Sequence, residues 1–226
     1  MVHHLLSLFP AMLLGAQLVL TIILVKADIC PGQRGRIHKT LPVIGVLWLA
    51  VASLQIEVFM VVFAIFYFYS QVQTGKTRNA GPIWLLYLAN GLALSFVGIQ
   101  VSQQAELSQS IAYFVLIFLL GASFSHLLLT VARTRLQAFH KVLPVAGVIA
   151  AMAFVVCSLV TIYGLDESQL TMILSPLVAL FVLLLFGVAV SCWHLLTDKE
   201  VNKAQLTVSL LLLLSASTVS SGLVTV

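Results

Sequence analysis

The chain has 226 residues, of which 61% are hydrophobic and 8% charged, with a formal net charge of +4. Soluble domains average about 45–50% apolar and about 25% charged residues, so a water-soluble core is excluded and the bilayer is the solvent. The basic excess is met by a lipid surface and calls for no nucleic acid.

In hydrocarbon every backbone N–H and C=O needs an internal partner, which leaves helices or a closed barrel. Segments such as Leu177–Val190 are apolar at nearly every position, without the alternation of barrel strands. The fold class is therefore all-α, a polytopic transmembrane bundle of about seven helices. The apolar stretches place them at Leu5–Val25, Leu41–Tyr69, Ile83–Val101, Ile111–Ala132, Val142–Tyr163, Met172–Leu195 and Ala204–Thr225. Each approaches the roughly 20 residues that cross about 30 Å of hydrocarbon. The first lacks a Lys/Arg-rich start and a small-residue cleavage site before Lys26, so it is expected to stay as a membrane helix. The second is long enough to tilt or project.

One helix entrance is written twice: HKTLPVIGV at His38–Val46 and HKVLPVAGV at His140–Val148. Proline is tolerated in a first helical turn, but the Val-x-Gly-Val that follows is not a capping requirement, which favours duplication over coincidence. Three expected crossings lie between the copies, an odd number that turns the second copy over. This predicts an inverted 3+3 repeat plus one extra helix, as in many transporters, with units 1–104, 105–203 and 204–226. With a cytoplasmic N-terminus the inner loops carry Lys76, Arg78, Arg133, Arg135, Lys141, Lys199 and Lys203. The outer loops carry Lys26, Arg34, Arg36 and Lys39. The balance favours a cytoplasmic N-terminus in a cell or inner membrane.

Candidate sites are the polar groups at membrane depth. Glu57 is expected near the middle of the second helix, where a carboxylate costs about 2.5–3.5 kcal/mol on insertion scales and demands a partner, water or a proton. Ser53 and Ala50 precede it by successive turns, forming a small and polar stripe. Its 102-residue counterpart is Leu159, so the site is asymmetric. A structural role, protonated Glu57 bonding helices together, stands beside the functional one. Gln17 and Asn90 are its expected neighbours, with Gln100 and the hydroxyl-rich Ser215–Gly222 as further polar groups at depth; the latter reads as a helix-packing face.

Histidines form the second set. His126 and His194 fall at similar depth on helices running the same way, with His140 on that side too. Two facing imidazoles are the minimum for a bis-His b-type haem or a metal, whereas His194 with Asp198 one turn on is an interfacial pair. The opposite side offers only His38, His3 and His4. Cys30, Cys157 and Cys192 show neither CxxC pairing nor metal spacing. Hydrolase, metalloprotease and phosphate-loop motifs are absent, and the last helix holds no lysine for a retinal Schiff base, Lys203 sitting only at its entrance. Tyr67, Phe68, Tyr69, Trp84, Tyr87, Tyr163 and Trp193 read as interfacial anchors. Three functions fit: a small-solute or ion transporter or channel at Glu57, a haem-binding redox protein, and a non-catalytic subunit of a larger membrane complex. The partners are the bilayer and either further copies of the chain or such a complex.

Overall fold

The computed structural model describes residues 2–74, 81–134, 136–163, 166–197 and 200–223. Lys76, Arg78, Arg135, Asp198 and Lys199 lie outside them, as do the side chains of His3 and His4. The protein is a polytopic helical membrane bundle. The described residues form nine α-helices: α1 (Val2–Lys26), α2 (Pro31–His38), α3 (Leu41–Ala52), α4 (Phe59–Thr74), α5 (Ile83–Ser102), α6 (Leu107–Val131), α7 (Gln137–Tyr163), α8 (Glu167–Thr197) and α9 (Lys203–Leu223). Six are long and apolar enough to cross a bilayer: α1 and α5–α9.

The helices α1 and α6 form the centre. Their spans are 72% and 67% buried, against 22–39% for the other four. They run in the same direction: Tyr113 Oη donates to Ser7 O at 3.0 Å near their first turns, and Gly15 meets Gly121 eight residues further along each. A Cβ on Gly15 would lie 2.8 Å from Gly121 Cα and closer still to Ile117 O. Without water to drive apolar burial, membrane helices associate through close packing, and small residues permit it. The same four letters, LLGA, stand at Leu13–Ala16 and Leu119–Ala122.

The expected single helix Leu41–Tyr69 is instead a hairpin, and this changes the topology. Helix α3 ends at Ala52, Gln55 adopts an extended conformation, and the 3-10 turn Ile56–Val58 leads into α4. Ser53, Gln55 and Glu57 sit at alternate positions, giving the tip polar groups that a hydrocarbon-buried helix centre would have to partner. Ser53 Oγ donates back to Ala50 O at 2.7 Å, and Leu54 and Gln55 N–H groups both close on Val51 O. Helix α4 then returns antiparallel, with Phe66 over Gly45 and Phe68 edge-on to His38 at 5.5 Å between ring centroids.

The chain therefore crosses an even number of times between the two entrance copies, and they lie at the same end. Arg36 Nη1 donates to Arg133 O at 2.8 Å, joining the segments that lead into them. The relation between the copies is parallel, not inverted. Nor is the last helix an extra: α9 packs on α6 as α5 packs on α1, and α7 leaves α6 as α3 follows α1. The order central helix, hairpin, returning helix occurs twice, which replaces the division at 203/204. The two hairpins differ in reach. Helices α7 and α8 have 27 and 31 residues, α3 and α4 only 12 and 16.

Every described Lys and Arg falls at the entrance end: Lys26, Arg34, Arg36, Lys39, Arg133, Lys141 and Lys203. The opposite end carries Glu57, Glu106 and Asp166. We call these the basic and acidic ends. At the basic end His38 is 1% exposed between α2 and Phe68. Burial, with the Arg34 charge adding to it, lowers its pKa to about 4.

Two outcomes follow from this packing. Replacing Gly15 with Val overpacks the crossing of α1 and α6, a change that costs about 1–3 kcal/mol or more, read as a drop in the thermal unfolding midpoint in detergent, whereas the same replacement at Gly98, whose Cβ position is open, leaves it near the parent value. His38 is neutral when folded and takes a proton more readily unfolded, so its contribution is complete above about pH 6.5 and is lost as pH falls toward 4. The His38→Gln protein accordingly shows a shallower loss of stability across that interval in pH-dependent unfolding.

Candidate functional site

The sequence candidates divide into two places. Glu57 and Ser53 are exposed at the tip of the α3–α4 hairpin, at the acidic end rather than mid-membrane. Gln17 and Asn90 are buried together between α1, α3 and α5. Trp48 Nε1 donates to Gln17 Oε1 at 3.0 Å, Thr21 Oγ1 donates to Gln17 O at 2.8 Å, and Asn90 Nδ2 donates to Thr21 Oγ1 at 3.0 Å. Gln17 Nε2 and Asn90 Oδ1 have no protein partner. This network ties a returning helix and a short arm to the centre.

Two cavities lie chiefly among α6–α9, the larger of them bordered also by Ser7 and Leu8 of α1 and Gln100 of α5. A vestibule of about 420 Å³ opens at the acidic end, within the 300–1,000 Å³ range of small-molecule sites. Its rim comes from the end of α5, the connection after it and the first turn of α6: Gln100, then Gln103 and Gln104, then Gln109. Ser158 and Thr161 of α7, and Ser217, Ser220 and Ser221 of α9, add hydroxyls, and Tyr113, Leu116, Phe154 and Ile173 line the remaining wall. All these side chains are uncharged. The one hydrogen of Tyr113 Oη is shared between Ser7 O and Gln100 Oε1, and Gln100 Nε2 reaches Gln55 of the hairpin tip at 3.2 Å. Gln109 Oε1 is buried without a partner, leaving an acceptor unsatisfied at the rim.

At the basic end three histidines meet. Pro144, expected in a first helical turn, lies inside α7, which starts at Gln137. Proline has no N–H, so the carbonyl four residues earlier loses its helical donor. That carbonyl belongs to His140, and His194 Nε2 bonds it at 3.1 Å. His126 Nε2 lies 3.1 Å from His140 Nδ1, and His140 Nε2 approaches Thr134 O at 3.5 Å. The ring centroids of His140 and His194 are 5.2 and 5.3 Å from that of His126. Since a carbonyl only accepts, the hydrogens of neutral His194 and His140 belong on Nε2. His140 Nδ1 then accepts, and His126 Nε2 donates to it. Two bare lone pairs remain, Nδ1 of His126 and Nδ1 of His194, each buried without a partner.

A small cavity of about 10 Å³ adjoins His126, with Ser123 and Ser191 on its polar side and Leu119, Leu143, Val148 and Leu213 around it. It lies between the same helices as the vestibule. Leu116 to Leu119 on α6, and Phe154 to Val148 on α7, separate the two, roughly 5 and 9 Å of apolar wall at 1.5 Å per residue. Polar groups thus run the length of the second half with one apolar interruption.

The expected haem ligands do come together, but they do not fit a haem. The His140 and His194 rings both lie against that of His126, and the adjoining space, about 10 Å³, is sized for one water and not for a macrocycle. Among the described residues no group of three or more His, Cys, Asp and Glu is placed to hold a metal ion. Asp198, the alternative partner of His194, lies outside the described residues. His140 and Pro144 gain a role that the repeated motif only hinted at. Gln100 was singled out in the sequence, but Gln103, Gln104 and Gln109 were not, though QxxQQ followed by Gln109 was readable as an amide-rich patch.

The chain matches a family described as an integral membrane domain over residues 2–220. It is also similar to an uncharacterized protein of Haemophilus influenzae, 32% identical over 146 residues that cover 60% of this chain and 54% of that protein. The chain thus spans about half the length of that relative. No solved structure matches it.

Proposed function

The chain belongs to this family of integral membrane domains, and from that premise we propose that it carries a small, uncharged polar solute across the bilayer through α6–α9. The observation that carries the reading is the vestibule, whose amides and hydroxyls hydrogen-bond a solute but offer no counter-charge. A charged solute would lose its hydration there without an ion pair to replace it. The column continuing to His126 supplies a route toward the other end, and the apolar wall between the cavities is the barrier that a transport cycle opens. Glu57 and Ser53 lie outside this route. The haem alternative lacks room, and the complex-subunit alternative has no specific contact in its favour.

We further propose that the basic end faces the cytoplasm. Basic residues near helix ends set orientation, and here they gather at one end, so the start of α1 and the vestibule face outward. This reverses the orientation read from seven crossings. With Cys30 replaced by Ser, a Glu106→Cys protein in intact cells reacts with a membrane-impermeant maleimide and a Lys39→Cys protein does not; the reverse pattern overturns the assignment.

Transport is tested in proteoliposomes by stopped-flow light scattering with glycerol, urea and acetamide as probe solutes. At least one crosses faster than in protein-free vesicles, and Gln109→Leu slows it about tenfold, the loss of one hydrogen bond worth about 1.4 kcal/mol. Glu57→Gln changes the rate less than about twofold, as expected for a group off the path. Equal rates in loaded and empty vesicles for all three probes would sink the reading.

A further inference from the structure

The three histidines leave a question that solute binding does not answer. His126 is 1% exposed and His194 6% exposed, yet each keeps an unsatisfied lone pair, and so does the hydroxyl of Ser123. Buried polar atoms without partners are rare and mark either a missing water or a functional role. The cavity beside His126 has the volume of about one water probe and two serines on its wall, meeting the requirement for an ordered water with two or more polar partners.

We propose that His126 and His140, aimed by His194, form a one-proton relay, entered through a water held between Ser123 Oγ and His126 Nδ1. A proton arriving from the acidic side adds to this water as one of its own O–H bonds breaks, so water is regenerated while an N–H bond forms at the His126 Nδ1 lone pair. The Nε2 hydrogen of His126 passes along its 3.1 Å contact to His140 Nδ1. His140 releases its own Nε2 hydrogen, the one directed at Thr134 O, to water at the basic end. Each ring ends neutral with its hydrogen on the other nitrogen, and the relay resets when the two imidazoles turn back.

His194 is a positioning residue. By occupying the carbonyl that Pro144 leaves free, it holds the His140 backbone and aims that ring at His126. The relay takes one proton at a time because a second imidazolium would sit within about one ring's length of the first in a poorly screened interior.

The titratable and charged groups around the relay are consistent with transient rather than permanent charging. Helix α6 contributes His126 alone; α7 contributes His140 and Lys141; α8 contributes His194; α9 begins at Lys203, and its Gln205 is tied to Val190 O. Arg133 follows α6, and Arg36 of α2 holds its carbonyl. The acids described at this end are Asp28 and Glu200. Positive neighbours hasten the release of a proton that arrives.

The inference shares the path of the proposed transporter but not its solute, and its test uses the proton as probe. In liposomes loaded with a pH-sensitive dye, under an imposed pH gradient with valinomycin and potassium to carry compensating charge, the full chain conducts protons above the protein-free rate. His126→Gln lowers this flux about tenfold, and Ser123→Ala, which keeps the fold should the histidine variant lose it, lowers it severalfold. Nitrogen-15 spectra of labelled histidine in the same membranes show the hydrogens of His126 and His140 exchanging between their two ring nitrogens in the parent protein, an exchange that Ser123→Ala slows.

A parent flux equal to that of empty vesicles, or ring hydrogens that stay fixed and ignore Ser123→Ala, overturns the relay. Solute uptake without proton flux removes the relay and leaves the transport reading; proton flux without uptake of any probe does the opposite.

Discussion

The approach of Gly15 to Gly121 is the constraint on which the remaining structure depends. In lipid no hydrophobic force presses helices together, so contact must come from shape, and two residues without side chains let α1 and α6 touch backbone to backbone. Because the pair is parallel, the segments leaving both helices emerge at one end. That single geometric fact brings Arg36 onto the carbonyl of Arg133, places the two Pro-bearing entrances side by side, and gathers basic charge on one face of the membrane.

From this shared plan the halves diverge. In the first, α2 and α3 are separated at Lys39–Thr40, and Pro42 sits at the start of a short helix where its missing N–H has no consequence. In the second, α7 runs continuously through Pro144, and the same missing N–H frees a carbonyl inside the bundle. One repeated proline therefore does two things: it begins a helix in one half and creates an acceptor for His194 in the other. The inward polar groups follow suit. Gln17, Thr21, Trp48 and Asn90 bond one another and close the first half, while Ser123, Ser158, Ser191 and Ser217 face space in the second.

Much of the fold was legible in the sequence because the bilayer imposes length and apolarity on any helix that crosses it. The ends of α5, α7 and α9 fall close to the apolar stretches that predict them. The hairpin at Ser53–Val58 was not, since the residues around it, from Val43 to Val62, are so apolar that a turn carries little compositional mark. Only the alternation of Ser53, Gln55 and Glu57 betrays it. One missed turn then propagated, reversing the parity of crossings and the sense of the repeat. LLGA in two places was the better guide, because glycines at a helix crossing report packing directly. Of the site, His126 and His194 were readable as a pair at equal depth. Their link through His140 depends on a carbonyl four residues before a proline, and the glutamine rim on which connection folds over which helix end.

The short hairpin has a consequence for the lipid itself. Its arms reach about 18 and 24 Å at 1.5 Å per residue, less than the hydrocarbon thickness, and the tip exposes Leu54, Ile56, Phe59 and Met60. Acyl chains must bend to cover that apolar knob while headgroups descend toward Ser53 and Glu57, so the leaflet at the acidic end is pinched on one flank only. Mismatch of this kind costs fractions of a kcal/mol per Å, enough to tilt the whole bundle toward the thin side and to bias where in a membrane of uneven thickness the protein comes to rest.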